Sequence, residues 1–84
     1  MTVTRSQIIH RLRGIMARTA TTQHDWDRVG EEDAIAALGI DSLAMLDFVY
    51  DIQQEFGIQF EAHELVEVTT VGKLATFIGE RTTA

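Results

Sequence analysis

The sequence predicts an all-α fold: a small four-helix bundle with three main helices, one short third helix and a long first loop. Three observations carry this. Apolar residues recur every three or four positions in three separate segments, the spacing that lines one face of a helix. Residues suited to capping stand at the start of each segment. Pro 0 means that no proline interrupts any of them, so turns must be marked by glycine and by caps. At 84 residues the chain has room for one domain, taken as 1–84.

The elements follow in order. Thr4 caps the first helix, with Gln7 as its capping-box partner three residues on and Val3 with Ile8 as a hydrophobic staple. Ile8, Ile9, Leu12, Ile15 and Met16 share one face, and the helix should run to about Thr19, with Gly14 costing about 1 kcal/mol relative to alanine. From Ala20 to Gly39, Thr21, Thr22, Gln23, Asp25 and Gly30 favour an irregular but packed connection anchored by Trp26, Val29, Ile35 and Leu38. The second helix is capped by Asp41 or Ser42 and stopped by Gly57. Leu43, Leu46, Val49, Ile52 and Phe56 mark its apolar face, with Leu43 burying just past the junction and Phe48 and Tyr50 widening that face. Leu65 and Val68 dock a short helical segment. Thr70 caps the last helix, with Val71, Leu74, Ala75, Phe77 and Ile78 turned inward.

Composition narrows the function. The net charge is -6, and it is unevenly spread: Arg5, Arg11, Arg13 and Arg18 precede the first acid, Asp25, so the remainder carries -10. From Val29 through Gly72 there is no Lys or Arg but ten acids, a stretch that repels phosphate backbones and excludes nucleic acid as a partner. No apolar run approaches membrane-spanning length, and Met1 to Ser6 is too polar for a signal peptide, so no membrane role and a cytoplasmic location are expected. Cys 0 rules out a disulfide scaffold, a zinc finger and a thiol enzyme. So small a chain has little surface for a closed catalytic cleft, which favours a binding or carrier role.

Most chemical motifs fail when tested. Asp25, Asp27 and Gly30 match positions one, three and six of a calcium loop, but position five is Val29 and position twelve Ala36, leaving a turn stabilised by aspartates. His10, His24 and His63 show no paired ligand spacing, so no metal site is expected. Around Ser42 the two glycine places of a nucleophile elbow hold Ile40 and Ala44, and no catalytic residue is assigned.

What remains is Leu38-Gly39-Ile40-Asp41-Ser42-Leu43, running into the strongest amphipathic helix. Gly39 allows a sharp turn, and the positive end of the helix dipole favours a phosphate on the Ser42 hydroxyl. Taken alone, the same residues describe an ordinary helix start.

Together with Phe56-Gly57-Ile58, Thr69-Thr70-Val71-Gly72 and the closing Leu74, Phe77 and Ile78, this segment resembles the acyl carrier proteins over nearly the whole chain. The resemblance implies an acyl-carrier-like bundle. It also implies that Ser42 receives a 4'-phosphopantetheine arm from coenzyme A, with Asp41 associated with magnesium during the modification and Leu43 supporting the motif. A separate phosphopantetheinyl transferase would attach the arm, and acyltransferase, ketosynthase or acyl-activating enzymes would load and use it as a thioester. The carrier itself would be a monomer and no enzyme. Asp47, Asp51 and Glu55, four residues apart, are either a solvated face or a docking row for basic partners. Met45 and Tyr50 are either edge-of-core or contact residues.

Ala44, Gln53 and Gln54 stand where fatty-acid carriers commonly show acids, which leans toward a specialised polyketide or hybrid pathway rather than housekeeping fatty-acid synthesis. Two alternatives stay open: a peptidyl or D-alanyl carrier, and a non-enzymatic helical interaction module in which Ser42 is only a cap.

Overall fold

The structure, a computed structural model, describes residues 4–20, 24–40 and 42–82, with Ser42 described by its backbone alone. The expected Val3 staple, the Thr21–Gln23 part of the first loop and the Asp41 cap lie outside the described residues. Three α-helices dominate: α1 (Arg5–Thr19), α2 (Ser42–Phe56) and α3 (Val71–Thr82). Among the described residues there is no strand, only an isolated bridge between Ala34 and Thr70.

Helix α1 begins as its capping box dictates. Gln7 N–H donates to Thr4 Oγ1 at 3.2 Å and Thr4 N–H donates to Gln7 Oε1 at 2.9 Å. Ile8, Leu12, Ile15 and Met16 are buried, and Ile9 packs against the core from its edge. Helix α1 contacts both α2 and α3 and so forms the spine of the bundle.

The first loop is packed and contains two short 3-10 turns, Trp26–Arg28 and Ala36–Leu38. Val29, Ile35 and Leu38 are buried, while Trp26 is half-buried against the same core. Asp33 closes the turn at Gly30, whose N–H donates to Asp33 Oδ2 at 2.7 Å, and Asp25 pairs with Arg28 at 3.3 Å. Backbone bonds then lace the loop to the start of α3. Val71 N–H donates to the Asp33 carbonyl at 3.0 Å, Gly72 N–H to the Glu31 carbonyl at 2.9 Å and Ile35 N–H to the Thr69 carbonyl at 2.9 Å. Loop carbonyls thereby accept from N–H groups that a helix start otherwise leaves to water.

Gly72 makes this approach possible, since a Cβ there would stand 2.9 Å from Glu31 Cβ. Arg5 binds the junction from α1: Nε donates to Glu31 Oε1, Nη1 to Thr76 Oγ1 and Nη2 to the Gly72 carbonyl, each at 2.9 Å. The hydrogen bond from Arg5 holds the Glu31 carboxyl below the usual carboxylate range.

The far end of α3 is tied down similarly. Arg81 donates to the Gln59 carbonyl at 3.2 Å, stacks over the Phe77 ring with a centroid distance of 4.7 Å, and forms an ion pair with Glu64. Glu64 belongs to the 3-10 turn Ala62–Leu65, which is the short third helix expected from the sequence. Its carboxyl is lowered first by the Glu61 N–H and then by Arg81. Thr70 caps α3 as expected, accepting from Lys73 N–H at 3.2 Å, and Val71, Leu74, Ala75 and Ile78 are buried.

The buried face of α2 corrects the sequence reading. Ala44, Phe48, Val49 and Ile52 are buried, whereas Leu43 is 84% and Leu46 68% exposed. Both stripes of α2 are apolar, and the 15-residue helix can turn only one of them toward α1. The row Ala44, Phe48, Ile52, spaced four apart, places the large Phe48 ring at the centre and leaves Leu43 outside.

Candidate functional site

The start of α2 is set by what precedes it. Leu38 and Ile40 are both buried, and Gly39 between them takes φ +87, a left-handed turn that costs glycine little. The chain is thereby anchored on both sides of the turn, and Ser42 opens α2 two residues after Ile40. The first turn of α2, Ser42-Leu43-Ala44-Met45, contains no acid, and the positive end of the helix dipole lies there. These features fit a phosphate ester at the helix start: positive potential, a fixed backbone and no carboxylate in the first turn.

From Ser42 a helical row runs down the outside of α2 through Leu46, at intervals of three and four, to Tyr50 and Gln53. Leu46 and, at 60% exposure, Tyr50 stand out of the core, with Leu43 beside them. Of the two residues left between core edge and contact, Met45 is half-buried and packs against the core, and Tyr50 is open. The acidic row occupies the flank nearer α1. Asp47 and Glu55 are exposed, and half-buried Asp51 accepts from the Thr19 hydroxyl at 3.4 Å. The acids therefore border the apolar row rather than interrupt it.

Leu43 and Leu46 are the surface residues that sequence reasoning assigned to the core. Val66, 76% exposed just after the Ala62–Leu65 turn, is a further open apolar residue that the sequence does not single out. A signal for α2 is present in the competing row of Ala44, Phe48 and Ile52; none marks Val66.

Comparison with known proteins bears directly on this site. The family model described as "Phosphopantetheine attachment site" matches residues 10–78. The acyl carrier protein of Thermotoga maritima is 31% identical over 78 residues, covering 92% of this chain and 94% of its own length. The chain belongs to the acyl carrier protein family. The anthracycline acyl carrier protein DpsG of Streptomyces peucetius is 40% identical over 57 residues, covering 68% of this chain and 63% of that protein. In fold, this acyl carrier protein is similar to the HMG-ACPI domain of the CurA module from Lyngbya majuscula, with a TM-score of 0.80, 22% identity and coverage of 98% of this chain and 82% of that one.

It is thus a carrier protein for fatty-acid or polyketide synthesis whose family carries the 4'-phosphopantetheine group. Membership implies work with synthase enzymes and a phosphopantetheinyl transferase. No helix among the described residues is long and apolar enough to cross a membrane.

Proposed function

We propose that Ser42 is the attachment point of the arm and that this chain carries intermediates of a specialised polyketide pathway. The observation that supports the attachment point is the position of Ser42 as first residue of α2, in the Asp-Ser-Leu junction behind the Gly39 turn. In the modification, the Ser42 oxygen attacks the coenzyme A phosphorus nearer the pantetheine. The bond to the outer phosphate breaks, adenosine 3',5'-bisphosphate leaves, and the hydroxyl proton passes to a base on the transferase. Asp41 would associate with the transferase's magnesium during that transfer. Once attached, the group supplies a thiol on a flexible tether that holds the acyl chain as a thioester.

The remaining work of the chain is presentation. Leu43, Leu46 and Tyr50 give partner enzymes an apolar contact, while Asp47, Asp51 and Glu55 along its border steer basic docking surfaces toward it. Met45 supports that surface from the core side. The partners are the transferase and then an acyltransferase, ketosynthase or acyl-activating enzyme. The carrier acts as a cytoplasmic monomer, catalyses no step, and is one domain over 1–84.

The test is incubation with coenzyme A, magnesium and a permissive transferase, read by intact mass. One phosphopantetheinyl addition is expected. No addition under any transferase, with partner binding retained in Ser42→Ala, would support a helical interaction module in which Ser42 is only a cap.

A further inference from the structure

On the side of α1 turned away from the core, the helix and the Trp26–Arg28 turn enclose an open groove of about 250 Å³, lined by His10, Arg13, Gly14, Ala17, Trp26 and Asp27. Its floor is a glycine that no packing contact requires. Glycine weakens a helix interior, yet a Cβ at Gly14 would meet nothing nearer than Arg18 Nη1, at 4.0 Å. At Gly72, by contrast, the approach of Glu31 excludes a side chain. The room above Gly14 is therefore taken by none of the described residues. The walls of the groove are preformed. Arg13 Nε and Nη2 donate to the Val29 carbonyl at 3.0 and 2.8 Å, which holds the loop against the helix, and half-buried Trp26 meets the edge-on His24 ring at a centroid distance of 5.3 Å.

The charge around the groove runs against that of the chain. Residues 10–28 hold Arg11, Arg13, Arg18 and Arg28 against Asp25 and Asp27, in a chain whose net charge is -6. Asp25 is taken by Arg28, and among the described residues Arg11, Arg13 and Arg18 form no ion pair at all. Arg11 rests over the Phe56 ring at 5.9 Å, and Arg18 is exposed. These two arginines stand two turns apart, ~10.5 Å along the axis, on one edge of the groove, with Arg13 on the other. Between the edges the lining is apolar: Ala17, the Gly14 backbone and the Trp26 ring. Asp27 is the one carboxylate on it.

From the juxtaposition of this apolar floor with two arginines that lack carboxylate partners, we infer that the α1 groove docks an acidic helix of a partner protein, which sets one large apolar side chain over Gly14 and carboxylates against Arg11 and Arg18. A helix fits because carboxylates two turns apart on one face match the spacing of the arginines, with an anchor residue between them. Arginine meets a carboxylate through two parallel N–H donors, so each contact also fixes orientation. A cationic partner would be repelled at this edge, and nucleic acid by the acidic remainder of the chain. The groove shares no residue with Leu43, Leu46 and Tyr50, so a protein bound there can retain the carrier while α2 meets another enzyme. The inference stands whether or not Ser42 carries the arm.

The test titrates isotope-labelled protein with three synthetic helical peptides of equal length: one with two glutamates two turns apart and a leucine between them, one with lysines for the glutamates, and one with alanine for the leucine. Trp26 is the chain's single tryptophan, so its fluorescence reads the groove directly. The glutamate–leucine peptide should give a saturable fluorescence change and shift the Gly14 and Ala17 amide resonances, and the other two should bind at least about tenfold more weakly. Added salt should weaken the first peptide. In Arg11→Glu with Arg18→Glu, both exposed positions, the response should be lost while the helical circular dichroism is kept. Gly14→Leu fills the floor: the response should be lost while the thermal midpoint rises, because leucine restores helix propensity at a position with room for it. A fall in that midpoint would show that the fold itself needs Gly14 and would overturn the inference. So would the absence of a saturable response, equal binding of the lysine or alanine peptide, or shifts at Leu46 and Tyr50 in place of Gly14 and Ala17. A sedimentation rate of the protein alone that rises with concentration, together with the Trp26 change, would overturn it in favour of a second copy in the groove.

Discussion

The junction of the first loop with α3 and the outward side of α2 are built in opposite ways. At the junction, backbone donors meet carbonyls, Arg5 spans three elements, and Gly72 permits an approach that any side chain would block. On α2, Leu43, Leu46 and Tyr50 are left in solvent. A chain this small can bury only part of its apolar surface, and it buries Phe48 and the α1–α3 interface while exposing Leu43, Leu46 and Tyr50. On the proposed reading, stability and recognition are held by different residues on adjacent faces, sometimes of the same helix.

That separation can be broken by substitution. Phe48→Ala, at a fully buried position, should cost about 3–5 kcal/mol in chemical denaturation, enough to threaten folding of so small a domain. Gly72→Ala should cost about 1–3 kcal/mol, because Glu31 Cβ and its carbonyl must both move aside. Leu46→Ala, by contrast, should change stability by no more than about 0.5 kcal/mol while slowing arm attachment or acyl loading. Equal destabilisation by Leu46→Ala and Phe48→Ala would erase the distinction between the two faces.

Smaller effects sharpen it. Glu31 and Glu64 have carboxyls lowered by their partners, so their contribution is present above the ordinary carboxylate range and lost as pH falls toward the lowered folded values. The thermal midpoint should therefore drop on acidification, and Glu64→Gln should flatten part of that slope. Asp47→Lys should leave the midpoint nearly unchanged but slow loading more at low ionic strength than at high. Equal slowing at both salt concentrations would remove the steering role.

The sequence made the ends of the helices legible because caps are local. Thr4 with Gln7, the left-handed Gly39 and Gly57, and Thr70 each act within a few residues. The loop anchors Val29, Ile35 and Leu38 were also readable, as isolated apolar residues in a polar stretch. The orientation of α2 was not, since its two apolar stripes are indistinguishable until α1 and α3 take their places. Nor was the lacing of Glu31 and Asp33 to α3, which joins segments some forty residues apart and which no local pattern encodes. For the site, the Asp-Ser-Leu junction marked a position and a chemistry, whereas the groove over Gly14 exists only once the first loop folds back beside α1.

Attachment at the Ser42 oxygen is tested most directly by mapping the modified residue. Protein treated with coenzyme A and a transferase should yield a single proteolytic fragment bearing the added group, with fragmentation placing it on Ser42. Ser42→Ala should gain no mass while keeping the helical circular dichroism of the parent. Addition at another residue, or to the folded Ser42→Ala protein, would contradict the account.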